Sequence, residues 1–145
     1  MIADVIELAE YLRANSPDKL IKKAVEDSET EALIIDLNTN EQLGRFINSE
    51  GVRLSDIGGE YALFTQFEKG LGPTEVNLND TGEYWNSYQV NAVKGGYEIT
   101  SDPIKDGDNL EDRYGDNLEG LTKENEQKAE GIIERKIWQQ AQSAL

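Results

Sequence analysis

Two short runs of alternating apolar residues, Tyr88, Val90, Ala92 and Val93 on one side and Tyr97-Glu98-Ile99-Thr100-Ser101 on the other, flank Lys94-Gly95-Gly96. Glycine supplies the positive φ that tight primed turns need, so Gly95 and Gly96 predict a β-hairpin at mid-chain. Asp102-Pro103 ends it, because the residue before proline is pushed to extended geometry and proline cannot donate to the ladder. Helical patterns lie on both sides. The fold class that follows is α+β, with N-terminal helices, a central hairpin or small antiparallel sheet, and a C-terminal helix packed on it.

In the first half, Ile2, Val5, Ile6, Ala9 and Leu12 recur at three- and four-residue spacing, the signature of one helix face. Asn15-Ser16-Pro17-Asp18 then reads as a break and restart, with Ser16 as N-cap, Pro17 at the first helical position and Asp18 facing the positive helix end. The second helix carries Leu20, Ile21, Ala24, Val25, Ala32 and Ile35, and Thr39-Asn40-Glu41-Gln42 fits a capping box that starts another. Two readings stand: a break near Asn38, or one long helix from Pro17 to Asn48.

From Glu50 to Gly72 five glycines punctuate the chain around Tyr61-Ala62-Leu63-Phe64-Thr65-Gln66-Phe67. Tyr61, Leu63, Thr65 and Phe67 suit a strand, and Tyr61, Phe64 and Phe67 suit a helix, so periodicity does not arbitrate. Gly70 to Asn79 reads as extended connection. Asp80 or Thr81 can accept a hydrogen bond from a backbone N–H two or three residues on, launching a short helix through Gly82 to Tyr84, Trp85, Ser87 and Tyr88.

Ile104 to Gly120 is acidic and turn-rich, a loop carrying one helical turn marked by Leu110, Tyr114 and Leu118. Thr122 is the N-cap of a C-terminal helix whose stripe is Ala129, Ile132, Ile133, Ile137, Trp138 and Ala141. The expected organisation is one domain over residues 1–145: a helical half at 1–48, a Gly-rich loop region at 49–79, and the hairpin with its C-terminal helix at 80–145.

Composition narrows the function more than it names it. The 145 residues hold no histidine and no cysteine, which removes disulfides, thiolate nucleophiles, the usual zinc sites, and Ser-His-Asp or Cys-His catalysis. Acidic residues number 29 against 14 basic, a formal net charge of −15, and this opposes specific binding to a phosphate backbone. No run approaches the roughly 20 apolar residues of a membrane span, and the start lacks the pattern of a secretory signal. The expected setting is a cytosol, or a particle packaged from one.

Three constellations invite chemistry. Asp106, Asp108, Glu111 and Asp112 cluster as a hard cation would want, yet the glycine and closing glutamate of a calcium loop fall out of place. The expected reading is a solvated acidic loop. Glu83 among Tyr84, Trp85 and Tyr88 resembles a sugar-site carboxylate, with core or contact anchoring the simpler reading of those aromatics. Asp80-Thr81-Gly82 looks like an aspartic-protease triplet, but the polar stretch Glu75 to Asn79 is not the hydrophobic strand that should precede it. Trp138, beside Arg135 and Lys136, either anchors a partner or caps the core. No catalytic, cofactor or metal residue is assigned.

Leu78-x-Asp80-Thr81-Gly82-x-x-x-x-Ser87, a hairpin with a Gly turn, Tyr114-Gly115, and Leu118-x-Gly120-Leu121-Thr122 before a terminal helix occur in that order. Taken together they resemble the tail-completion, neck or virion-morphogenesis proteins of tailed bacteriophages, over about Leu78 to Leu145. The resemblance implies a structural protein rather than an enzyme, assembled in the host cytoplasm and kept in the virion. Copies would form a homo-oligomeric ring at the head-tail junction or tail end, touching connector or portal-side and tail-tube proteins, with DNA passing through the lumen. The alternative from charge alone is a small acidic inhibitor or DNA mimic for the basic groove of a nucleic-acid enzyme.

Overall fold

The computed structural model describes residues 5–145, so Ile2 of the first apolar series lies outside the described residues. Helix α1 spans Val5–Ala14. Helix α2 spans Pro17–Val25, and the Ser16 hydroxyl accepts from the Lys19 N–H at 3.3 Å, as its sequence predicts. The chain then departs from the expected continuous helix. Asp27 stops it: its carboxylate accepts from the N–H groups of Glu29 and Thr30, both at 3.1 Å, and opens α3, Ser28–Asn38. Those bonds, led by the one from Thr30, hold the Asp27 carboxyl below its usual range.

Neither the long helix to Asn48 nor the capping box at Thr39 forms. Thr39 ends α3 instead, its hydroxyl donating to the Ile35 carbonyl at 2.8 Å. Leu43–Arg45 makes one 3-10 turn that closes on Phe46 at φ 71°. The Asn48 side chain then accepts from Glu50 and Val52 at 2.9 and 3.0 Å and folds the following loop over itself.

Two short helices occupy the Gly-rich region, α4 at Leu54–Gly58 and α5 at Leu63–Lys69, so of Tyr61–Phe67 the part from Leu63 on is helical, and Tyr61 and Ala62 stand ahead of it. Helix α6 is a single turn, Glu83–Asn86. The hairpin follows as expected: β1 (Gln89–Val93) pairs antiparallel with β2 (Gly96–Thr100), Val93 opposite Gly96, and Gly95 takes φ 76° in the two-residue turn. A second, minute hairpin lies where a loop was expected. It joins β3 (Ile104–Lys105) to β4 (Asp108–Asn109) through Asp106 at φ 51° and Gly107 at φ 84°. Helices α7 (Leu110–Tyr114) and α8 (Lys123–Ser143) complete the chain, α8 capped by the Thr122 hydroxyl on the Asn125 N–H.

The architecture is α+β. Helix α2 lies against both strands of the β1–β2 hairpin and against α8, while α3 packs on α8 and β1. Tyr97 of β2 packs against the core, and its hydroxyl is pushed up to about 12 by burial and by the charges of Glu126 and Glu130 on α8. One contiguous core runs through the molecule, from Val25 and Ile34 through Leu43, Leu54 and Val76 to Tyr114, Leu118 and Ile133. A fully buried Val, Leu or Ile contributes about 1.5–3 kcal/mol.

Candidate assembly surface

The aromatic segment faces inward. Tyr84 and Tyr88 are buried, their rings edge to face with centroids 5.3 Å apart, and their hydroxyls lie 2.9 Å apart. Tyr88 donates onward to the Leu118 carbonyl at 3.2 Å. The Ser101 hydroxyl sits 3.2 Å from that of Tyr84 and is bonded to the Glu119 carboxylate. Burial pushes both phenols up, so each remains a neutral hydrogen-bonding group.

The neighbouring residues hold this turn in place. Trp85 is half-buried, its indole N–H donating to the Asn77 carbonyl at 3.0 Å and its ring lying against Gly44. Ser87 donates to the Tyr84 carbonyl at 2.6 Å and accepts from the Asp102 N–H at 3.0 Å, tying the turn to the end of β2. Thr81 accepts from the Glu83 N–H at 3.4 Å, Gly82 takes φ 82°, and Asp80 pairs with Lys105 at 3.3 Å. Thus the Asp80-Thr81-Gly82 triplet is a turn whose aspartate holds the β3 lysine.

Beside these tyrosines lies a buried polar clamp built from Asn38, Gln42 and Asn125. Asn38 donates to the Leu118 carbonyl at 2.9 Å and accepts from the Gly120 N–H at 2.8 Å. Gln42 donates to the Gly120 carbonyl at 2.8 Å and accepts from the Thr122 N–H and the Asn125 amide at 2.9 and 3.0 Å. Asn125 also reaches the Leu37 carbonyl at 3.3 Å. The clamp therefore fixes the Leu118–Thr122 loop onto the end of α3. Only the polar character of Asn38 and Gln42 within an apolar neighbourhood hinted at it in the sequence.

Helix α5 is built the other way. Its single buried side chain, Gln66, donates to the Tyr61 carbonyl at 2.8 Å, while Leu63, Phe64 and Phe67 turn outward at 80%, 72% and 86% exposure. The opposite face carries Thr65 and Lys69, with Tyr61 just ahead of the helix, into a cleft of about 540 Å³ whose far wall is Asp106, Asp108, Asp112 and Arg113. Lys69 sits 4.6 Å over the Tyr61 ring, and partial burial lowers its amine. The Tyr61 hydroxyl accepts from the Leu78 N–H at 2.9 Å and anchors α5 to the connection behind it.

Of the cations around the cleft, Lys105 is paired with Asp80, and the Arg113 guanidinium donates to the carbonyls of Gly58 and Glu60 at 2.7 and 3.3 Å. Among the described residues no group of three or more carboxylates converges on a position for a metal ion, and no helix is long and apolar enough to cross a membrane. Trp138 lies on the surface of α8 at 43% exposure, and the hairpin turn at Gly95 and Gly96 abuts the start of α2, with Asp18 beside Gly95.

The expected anchors therefore separate: Tyr84, Ser87 and Tyr88 join in one hydrogen-bonded network, half-buried Trp85 is held on Asn77 beside it, Asp80 edges the cleft, and Gly95, Gly96 and Trp138 lie elsewhere. The outward apolar residues of α5 were visible in the sequence only as an apolar insert between glycines. No family model, curated protein or solved structure matches the chain.

Proposed function

We propose that this chain is a structural subunit that works by protein–protein assembly, as a neck or tail-completion component of a tailed-phage virion. The order of the Leu78–Ser87 segment, the hairpin, Tyr114-Gly115 and the Leu118–Thr122 loop before α8 supports the phage reading. The observation that carries the assembly reading is α5, which leaves Leu63, Phe64 and Phe67 in water. Large apolar side chains gathered in water on one helix face mark a surface that a partner covers. Copies would close into a ring at the head-tail junction or tail end, put together in the host cytoplasm and retained in the virion.

In this reading an acidic lumen lets DNA pass without gripping phosphate. Mass photometry and negative-stain imaging, with and without purified portal and tail-tube proteins, test it. Rings or stable complexes are expected. A monomer that binds neither protein overturns it, and salt-sensitive inhibition of a nucleic-acid enzyme would favour instead the acidic-inhibitor reading, whose support is the run of exposed carboxylates in residues 102–119.

A further inference from the structure

Of the nine lysines in the chain, three are drawn partly out of water: Lys69, Lys105 and Lys136. Lys105 is paired with Asp80, and Lys136 with Asp27 and Glu29. Lys69 is different. Among the described residues no carboxylate lies within ion-pair distance of it. Its neighbours are the face of the Tyr61 ring, 4.6 Å away, and the Tyr61 hydroxyl at 3.4 Å. A ring face and a phenol hold an ammonium more weakly than a carboxylate does. Burial is therefore not fully offset: it lowers the amine, against the charge of Asp80 and with that of Lys105.

The side chain also opens onto a space that a reactant can enter. The cleft of about 540 Å³ has the size of a small-molecule pocket, and Leu78, Leu110 and Tyr114 give it apolar surface. Across it stand Asp106, Asp108 and Asp112, exposed and without ion pairs among the described residues. Its other cations are engaged, Lys105 with Asp80 and Arg113 with two backbone carbonyls. A molecule in the cleft thus meets one unpaired amine on the α5 side and hydrogen-bond acceptors on the other.

We propose that Lys69 is a modification site, a nucleophilic amine that condenses with small hydroxyaldehydes entering the cleft. The Nζ lone pair attacks the carbonyl carbon and forms the C–N bond, and the carbonyl oxygen takes up a proton that the nitrogen gives away. The carbinolamine then loses water to leave an imine, with nothing oxidised or reduced. Hydroxyl groups of the aldehyde donate to the three aspartates, whereas a carbonyl acid would set its own carboxylate against them. This chemistry is independent of assembly, because the cleft lies on the side of α5 away from Leu63, Phe64 and Phe67.

The test is brief exposure of the full chain to glyceraldehyde with cyanoborohydride, which reduces an imine to a stable secondary amine, followed by peptide mass mapping. Lys19, Lys23, Lys94 and Lys123, exposed and without ion pairs, are controls within the same molecule. Lys69 is expected to be labelled at least about fivefold faster than these four and to reach its full rate at a lower pH. The preference should vanish when the chain is unfolded in urea, and glyoxylate should show a smaller one. Labelling of Lys69 no faster than of the exposed four overturns the proposal, as does a preference that survives unfolding. An equal preference with glyoxylate overturns the assignment of the aldehyde class.

Discussion

Gln42 and Gln66 are both buried glutamines, and they do opposite work. Gln42, with no exposed surface, bonds to Gly120, Thr122 and Asn125, all about 80 residues away in the chain. The Gln66 side chain bonds to Tyr61, five residues back. The first stitches distant segments into one core. The second merely closes a local turn, so α5 is held by its own loop while its apolar residues stay free for another surface. The residues that hold the core and the proposed assembly face thereby lie in separate parts of the molecule.

The sharpest way to break this division is Gln42→Ala. The part-buried Gly120 carbonyl and Thr122 N–H lose a partner, while the Asn125 amide keeps its bond to Leu37; at about 1–3 kcal/mol per unmatched buried group, chemical denaturation should show a loss of about 3 kcal/mol. Gln66→Ala removes one local bond and should cost about 1 kcal/mol. Equal losses would mean that the two glutamines are not different in kind.

Alkaline titration probes the tyrosines on the clamp side. Tyr84 and Tyr88 have hydroxyls raised by burial in the folded state, so their stabilisation is whole below the unfolded value of about 10 and is lost as pH rises beyond it. With both still protonated in the fold, the slope approaches about 2.7 kcal/mol per pH unit. Tyr61, also raised by burial, acts with the same sign from the α5 side. Melting curves of Tyr88→Phe and Tyr61→Phe across pH 9–12 should show the larger share missing in the first.

Gly58→Ala joins the two regions. A Cβ there would stand 2.4 Å from Cδ1 of the buried Tyr114 and 2.8 Å from the Arg113 carbonyl. Since neither the backbone nor a buried ring can move aside freely, a loss of about 2–3 kcal/mol is expected in urea titration. At the far end of the scale, Phe67→Ser at 86% exposure should change the stability of the isolated chain by less than about 0.5 kcal/mol. Its effect belongs in the association measurement.

What the sequence made legible follows the same division. Local hydrogen bonds were readable: the caps at Ser16 and Thr122, and the hairpin turn at Gly95, each use residues within a few positions of one another. The capping box at Thr39 failed because Gln42 spends its amide on a loop far along the chain, which no local pattern announces. Asp27 was missed as a helix start because the apolar residues on either side of it share one period. The β3–β4 hairpin did carry a signal, the Asp106-Gly107 pair suited to a primed turn, and it was masked by the acidity around it.

Helix α5 resisted periodicity for a different reason. Apolar spacing reports a helix when one face meets the core, and here Leu63, Phe64 and Phe67 face water. The candidate surface was therefore illegible by the very property that makes it a candidate. The aromatic segment was legible as an anchor, and only the positions of Leu118 and Ser101 settled that Tyr84 and Tyr88 point inward.

The clamp also has a consequence for how the protein is made. Every one of its bonds joins residues 37–42 to residues 118–125, and the ribosome delivers the second segment long after the first. Until residues 118–125 emerge, Asn38 and Gln42 lack these partners and the nascent chain cannot close its core. Folding of the core is deferred until that segment is out. A chain shortened before residue 118 should therefore accumulate as a protease-sensitive product, however intact its first three helices are.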